Sequence, residues 1–148
     1  MPIPALNAEG FLPSDIFDCT IAEMKTRFGA FQDSDQRPRL FERLEALMLA
    51  TRSSGLFEML LVDGSFVTAK SAPNDIDLIA VLRRGHNFER DLPISEYALV
   101  SRTLLRRRYG FDVVIAEQDS SLYKTYVEFF SRVREAPGAR KGLLRLRL

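Results

Sequence analysis

Two aspartates separated by one residue, Asp75 and Asp77, stand at the start of an apolar run, DIDLIAVL. Side chains alternate along a strand, so both carboxylates would face the same side, about 6–7 Å apart. Two like charges beside a hydrophobic core are unfavourable unless a cation compensates them. Magnesium is a suitable cation, because it binds one or two carboxylates together with the phosphate oxygens of a substrate.

A glycine–serine pair, Gly64 and Ser65, follows another apolar run, LFEMLLV, and precedes the paired acids. Glycine lets the backbone approach a ligand closely, and the serine hydroxyl and following amides can hold phosphate oxygens. A third acid, Asp112, is the second residue of the strand-like segment FDVVIA. If that segment lies beside the strand of the paired acids, the carboxylates and the turn predict two-metal phosphoryl or nucleotidyl transfer.

Other charged residues have simpler interpretations. Lys70 lies in the loop after Ser65, where it could reach a triphosphate or could simply be solvated. Asp63, directly before Gly64, is interpreted as a turn acid rather than as a further metal ligand. The cluster Arg106–Arg108 ends a predicted helix, where positive charge is favourable.

The elements that must position these residues follow from apolar spacing and from turn residues. The 148 residues are 46% hydrophobic, enough for one domain, residues 1–148. Within it, residues 1–30 are expected to form an N-terminal arm and a short helix, residues 38–134 the core, and residues 139–148 a C-terminal edge strand. Helices are predicted over 21–28, 38–52, 94–109 and from 119 onward, and strands over 56–62, 75–82 and 111–116. The predicted fold is α/β (α+β), a small mixed sheet flanked by helices.

Composition narrows the function classes. The net charge of +1 argues against nucleic acid as a partner, and the single cysteine, Cys19, excludes an intramolecular disulfide. The N-terminus does not resemble a signal peptide, and no apolar run is long enough to span a membrane. We therefore expect a cytoplasmic protein without a membrane partner.

Taken together, the spacing from Gly64-Ser65 to Asp75-Ile76-Asp77-Leu78 and then to Asp112 resembles the DNA polymerase beta-type nucleotidyltransferases. The similarity is greatest to their minimal prokaryotic members and covers roughly residues 38–116. The Leu-Pro-containing arm and the Lys-Gly ending further resemble an uncharacterised prokaryotic subgroup. The sequence departs from the family pattern in the loop, where Thr68 and Ala69 replace a basic residue and glycine, at Asn74, and in a spacing about one residue short.

The resemblance implies a nucleotidyltransferase-like fold and transfer of a nucleoside monophosphate from an NTP, with ATP as the expected donor, to an acceptor hydroxyl. Gly64, Ser65 and Lys70 would bind the triphosphate, Asp75 and Asp77 would bind two magnesium ions, and Asp112 would be the third catalytic acid and metal ligand.

The acceptor could lie on a partner protein, such as the cognate toxin of a toxin–antitoxin pair, and both a monomer and a homodimer remain open. An alternative is an inactive member that binds ligands or regulates a partner. Binding of nucleic acid through Arg106–Arg108 and the basic tail ranks last, because the net charge is close to zero.

Overall fold

The fold is built on a mixed five-stranded sheet. The structure is a computed structural model that describes residues 3–148. The strands are β1 (Ile16–Asp18), β2 (Phe57–Asp63), β3 (Asp77–Leu82), β4 (Asp112–Glu117) and β5 (Leu143–Arg147). They lie in the order β1-β5-β2-β3-β4; β2 is antiparallel to β3 and β5, whereas β3–β4 and β1–β5 are parallel. This mixed sheet confirms the predicted α/β class.

Helices cover both faces of the sheet. Within residues 3–148 the helices are α1 (Ile21–Phe28), α2 (Gln36–Ser54), α3 (Ile94–Tyr97), α4 (Arg102–Tyr109) and α5 (Ser121–Phe130). Buried side chains of α1, α2 and α4 join one apolar cluster with one face of the sheet, while α5 packs on the opposite face. None of these helices is long and apolar enough to cross a membrane.

Local signals explain most helix ends. The predicted capping box is present: the Thr20 hydroxyl accepts a hydrogen bond from the Glu23 amide at 3.0 Å, and the Glu23 carboxylate accepts one from the Thr20 amide at 2.9 Å. The prediction of one helix over 94–109 was wrong. A short 3-10 turn follows α3, and Ser101 then adopts an extended conformation and caps α4 by accepting from the Leu104 amide. The serine therefore starts a new helix instead of continuing the previous one.

The arm and the tail belong to the sheet itself. The predicted edge strand at residues 139–148 was wrong in position, because β5 lies between β1 and β2. Its charged residues suggested an edge, but Arg145 forms an ion pair with Asp18 of β1, with Nε and Oδ1 2.7 Å apart. The arm, expected to have little regular structure, supplies the outer strand β1. The first two residues of the predicted arm lie outside the described residues.

Candidate functional site

Three aspartates stand side by side at one end of the sheet. Asp63 ends β2, and Asp77 and Asp112 begin β3 and β4. In the strand register, Asp77 is the direct partner of both Asp63 and Asp112. Register partners on neighbouring strands lie about 5 Å apart and face the same side. We call Asp63, Asp77 and Asp112 the carboxylate row; it lies on the face of the sheet that α5 covers.

Gly64 allows β2 to end in a tight turn directly after Asp63. Its φ of 93° lies in the region that favours glycine. A Cβ atom on Gly64 would lie 2.9 Å from the amide nitrogen of Asp77 and 3.0 Å from the carbonyl oxygen of Asp75. The turn after β2 and the start of β3 can therefore approach each other only because residue 64 has no side chain.

Asp75 lies two residues before β3 and faces the Gly-Ser turn. Its Oδ1 accepts a hydrogen bond from the Ser65 amide at 2.8 Å and another from the Ser65 hydroxyl. Burial raises the pKa of Asp75, but these hydrogen bonds from Ser65, together with the charges of Lys70 and Lys141, outweigh burial and leave the pKa below its usual value. The turn thus binds an anionic oxygen, and in this structure the oxygen comes from Asp75.

Asp77, the central acid of the row, is electrostatically the least favourable. Within residues 3–148 its carboxylate takes part in no hydrogen bond or ion pair. Burial, followed by the nearby charges of Asp75, Asp63 and Asp112, raises its pKa to about 6. Near neutral pH a negative charge at this position has several acidic neighbours, so a cation bound here would be strongly favoured.

A basic side chain contacts the acid at each end of the row. The Lys141 ammonium lies 3.1 Å from Oδ1 of buried Asp63. This contact is an ion pair without the geometry of a good hydrogen bond, and burial still raises the pKa of Asp63 against the opposing effect of Lys141. At the other end, Arg102 of α4 donates to Oδ1 of Asp112 at 3.1 Å in an exposed pair. Asp75 and Asp77 have no ion-pair partner among residues 3–148, so negative charge is least compensated there.

A buried arginine holds the loop after Ser65 through hydrogen bonds to its carbonyl oxygens. Arg37 of α2 is 1% exposed, and its guanidinium donates to the carbonyl oxygens of Phe28 (3.2 Å), Phe66 (2.6 Å), Thr68 (2.7 Å) and Lys70 (2.6 Å). Burial lowers the pKa of Arg37. The loop that departs from the family pattern is thus ordered by a side chain of α2.

The N-terminal arm also contacts this loop. The Ala69 amide donates to the Gly10 carbonyl oxygen at 3.0 Å. A Cβ atom on Gly10 would lie 3.0 Å from the side chain of Ala69, so the arm and the loop pack closely. The Ala69 amide is consequently engaged with protein and does not face a ligand.

These residues line a cleft of about 1260 Å³. One wall carries the carboxylate row, Asp75 and the loop. The other wall is formed by the end of α5 and the segment leading to β5, and its residues include Phe129, Arg132, Arg134, Arg140 and Lys141. The cleft is larger than a typical small-molecule pocket of roughly 300–1,000 Å³, so it has room for a nucleotide and a second group.

The donor chemistry of the site fits a divalent cation, but the site is not preassembled. Carboxylate oxygens are the ligands that magnesium prefers. Across residues 3–148, however, no three His, Cys, Asp or Glu side chains converge as closely as a metal ion requires. The reason is visible in the contacts: Asp75 is turned toward Ser65, and Asp112 toward Arg102. Because the Arg102–Asp112 pair is exposed, breaking it would cost little.

All six residues predicted for the site line this one cleft: Gly64, Ser65, Lys70, Asp75, Asp77 and Asp112. Asp75 precedes β3 instead of lying within it, so strand alternation, on which the prediction from the sequence depended, does not place its carboxylate on the same side as that of Asp77. The interpretation of Asp63 as a turn acid missed its place in the row. That place follows from the register of β2 against β3, which brings Asp77 opposite Asp63 and which the sequence does not reveal. Nothing in the sequence distinguished Lys141 or Arg37.

Fold and site together define an α/β protein with a cleft at one end of its sheet, in which a row of carboxylates faces a wall that carries basic side chains. The chain belongs to a family of unknown function, DUF6932, whose model matches residues 4–147. No curated protein and no solved structure matches the chain.

Proposed function

We propose that the protein is a magnesium-dependent nucleotidyltransferase of the DNA polymerase beta type, which transfers a nucleoside monophosphate from an NTP, with ATP as the first candidate, to an acceptor hydroxyl. The observation that carries the proposal is the carboxylate row beside the Gly64–Ser65 turn. Its central acid, Asp77, has acidic neighbours and, within residues 3–148, no ion-pair partner, while the adjacent turn already holds an anionic oxygen. A metal–triphosphate substrate needs carboxylates for its metal ions and, in contact with them, a turn that binds its phosphate oxygens.

The residues have separate tasks in this proposal. Magnesium, when bound by Asp75, Asp77 and Asp112 as two ions, would neutralise the acids and polarise the phosphates. If Asp75 turns away from Ser65, the Ser65 amide and hydroxyl become free to hold a phosphate oxygen in place of the carboxylate. Lys70, in the loop held by Arg37, would supply a further positive charge to the triphosphate.

Transfer forms a bond between the acceptor oxygen and the α-phosphorus and breaks the bond to pyrophosphate, which leaves with its electron pair. Asp112, at the end of the row and half exposed, accepts the proton of the attacking hydroxyl. The size of the cleft supports an acceptor that enters beside the nucleotide, and the acceptor would be presented by a partner protein. A toxin paired with this chain in the cytoplasm is the candidate that the family resemblance suggests.

A second candidate function is a binding or regulatory protein that keeps this fold without turnover. Two contacts favour it: Ser65 is engaged by Asp75, and the Ala69 amide by Gly10. Both groups would have to be released before they could serve a nucleotide.

One experiment separates the two functions. The protein is incubated with magnesium, α-labelled NTPs and a lysate of its host, beside an Asp75→Ala/Asp77→Ala variant and an Arg39→Met control on the exposed side of α2. Label transfer by the wild type and the control, but not by the double variant, supports the enzyme. A thermal shift with Mg-ATP without transfer supports the binding protein. Neither transfer nor a shift would contradict both.

A further inference from the structure

Lys141 is the one cation that reaches the buried part of the carboxylate row among residues 3–148. It comes from the segment before β5, outside the part of the chain that resembles a nucleotidyltransferase. Its side chain is 17% exposed and that of its partner Asp63 is 5% exposed. Both side chains line the cleft. A lysine side chain that is buried to this degree loses much of its rotamer freedom, so its surroundings set its position.

The backbone around Lys141 is fixed by hydrogen bonds to the end of α5 and to the N-terminal arm. The Lys141 amide donates to the Ser131 carbonyl oxygen at 2.8 Å, at the end of α5. The next residue, Gly142, donates to the Leu12 carbonyl oxygen at 3.0 Å. A Cβ atom on Gly142 would lie 2.1 Å from the carbonyl oxygen of Pro13. The arm therefore seats directly on the chain beside Lys141, and only glycine permits that approach.

The order of charges across the sheet end gives this lysine a specific effect. Lys141 stands next to Asp63, Asp63 is the register partner of Asp77, and Asp77 is the partner of Asp112. Lys141 offsets part of the negative charge of Asp63. Without Lys141, the charge of an ionised Asp63 would add to those of Asp75 and Asp112 around Asp77; without Asp63, the positive charge of Lys141 would be unbalanced there.

We propose that Lys141 is a positioning residue of the cleft, which neutralises Asp63 and so sets how strongly Asp75, Asp77 and Asp112 hold a divalent cation. This inference rests on the proposed function, because it concerns the same cation site. The Lys141 ammonium lies 3.1 Å from Oδ1 of Asp63, so it competes with a metal ion for that oxygen. The arm and the tail, by fixing Lys141, would act on the metal affinity of the site.

The test is a charge cycle with Mn²⁺ as the probe, measured by the electron paramagnetic resonance of the free ion without nucleotide. The variants are Asp63→Asn, Lys141→Met and the double variant. Asp63→Asn leaves an unbalanced positive charge and is expected to weaken Mn²⁺ binding about tenfold, whereas Lys141→Met is expected to strengthen it about tenfold. The double variant, neutral like the wild-type pair, should return to within about twofold of the wild type.

The opposite signs distinguish this role from a purely structural one. If Lys141 only supported the fold, both single variants would weaken binding or leave it unchanged, and either result would overturn the inference. If Lys141→Met does not fold, Asp63→Asn and the double variant still decide, since the inference requires the second substitution to restore what the first removed. Asp119→Asn, which breaks an exposed ion pair with Arg84 beyond the far end of β4, is the control and should leave binding unchanged.

The wild-type measurement separates this inference from the proposed function. If the wild type binds Mn²⁺ but the single variants do not shift the affinity in opposite directions, the inference alone fails. If the wild type binds no Mn²⁺ at millimolar concentration, the metal-dependent function fails as well.

Discussion

Replacing Arg37 with methionine tests whether a buried side chain of α2 orders the loop beside the candidate site. Arg37 donates four hydrogen bonds of 2.6–3.2 Å to carbonyl oxygens. Methionine keeps much of the apolar volume and removes every donor. Two of the carbonyls, those of Phe28 and Phe66, are buried, whereas those of Thr68 and Lys70 are partly accessible and can bond to water.

The expected loss of stability follows from the two buried carbonyls. Each buried acceptor left without a partner costs about 1–3 kcal/mol, so together they cost about 2–6 kcal/mol. Removing the buried guanidinium offsets part of this loss, because its charge has no carboxylate partner within residues 3–148 and its Nε makes no hydrogen bond. We expect Arg37→Met to lower the free energy of unfolding by about 3 kcal/mol.

Urea unfolding measures the total loss, and amide hydrogen exchange locates it. Faster exchange is expected at residues 66–70 even where the rest of the sheet remains protected, because the loop loses its anchor. Arg39→Met is the matched control: Arg39 lies on the same helix in an exposed ion pair with Asp35 and should change stability by less than about 0.5 kcal/mol. If Arg37→Met costs less than about 1 kcal/mol and leaves exchange in the loop unchanged, the anchoring role is refuted.

Three further predictions concern the turn, the central acid and the arm. Gly64→Ala places a methyl carbon 2.9 Å from the Asp77 amide nitrogen, so it should lower the free energy of unfolding in urea by about 3 kcal/mol and abolish Mn²⁺ binding. The control Gly85→Ala, at a positive φ but with open space around the new methyl group, should cost only about 1 kcal/mol, and equal losses would contradict the close-approach argument. Asp77 has its pKa raised to about 6, so the folded state binds more protons than the unfolded state between about pH 4 and 6, and stability falls as pH rises through that window. Asp77→Asn should remove this slope and, after allowance for solvent screening, add about 1–2 kcal/mol at pH 7.5 and little at pH 4 when both proteins are unfolded in urea; the same gain at both pH values would contradict the assignment. Gly142→Ala should lower stability by about 3 kcal/mol through contact with Pro13, and a melting temperature within about 2 °C of the wild type, followed by circular dichroism, would show that the arm does not need that approach.

Much of the local structure could be predicted from the sequence because its causes are local. The capping box at Thr20 and Glu23 and the apolar runs of β2, β3 and β4 depend on residues close together in the chain. The helix predicted over 94–109 failed because the Ser101 side chain competes with the helical backbone, a choice that apolar periodicity does not reveal. The tail strand was recognised, but its neighbours were not.

The sequence by itself determined the types of residue available at the cleft: two acids beside an apolar run, a glycine–serine turn and a third acid on a later strand. Only the tertiary structure decided that Asp63 joins the row, because membership depends on the register between β2 and β3. It also decided that Lys141 faces Asp63, since that contact needs β5 inside the sheet and the arm seated on Gly142. Register and strand order arise from contacts between residues distant in the chain, and the charge balance of the cleft depends on them.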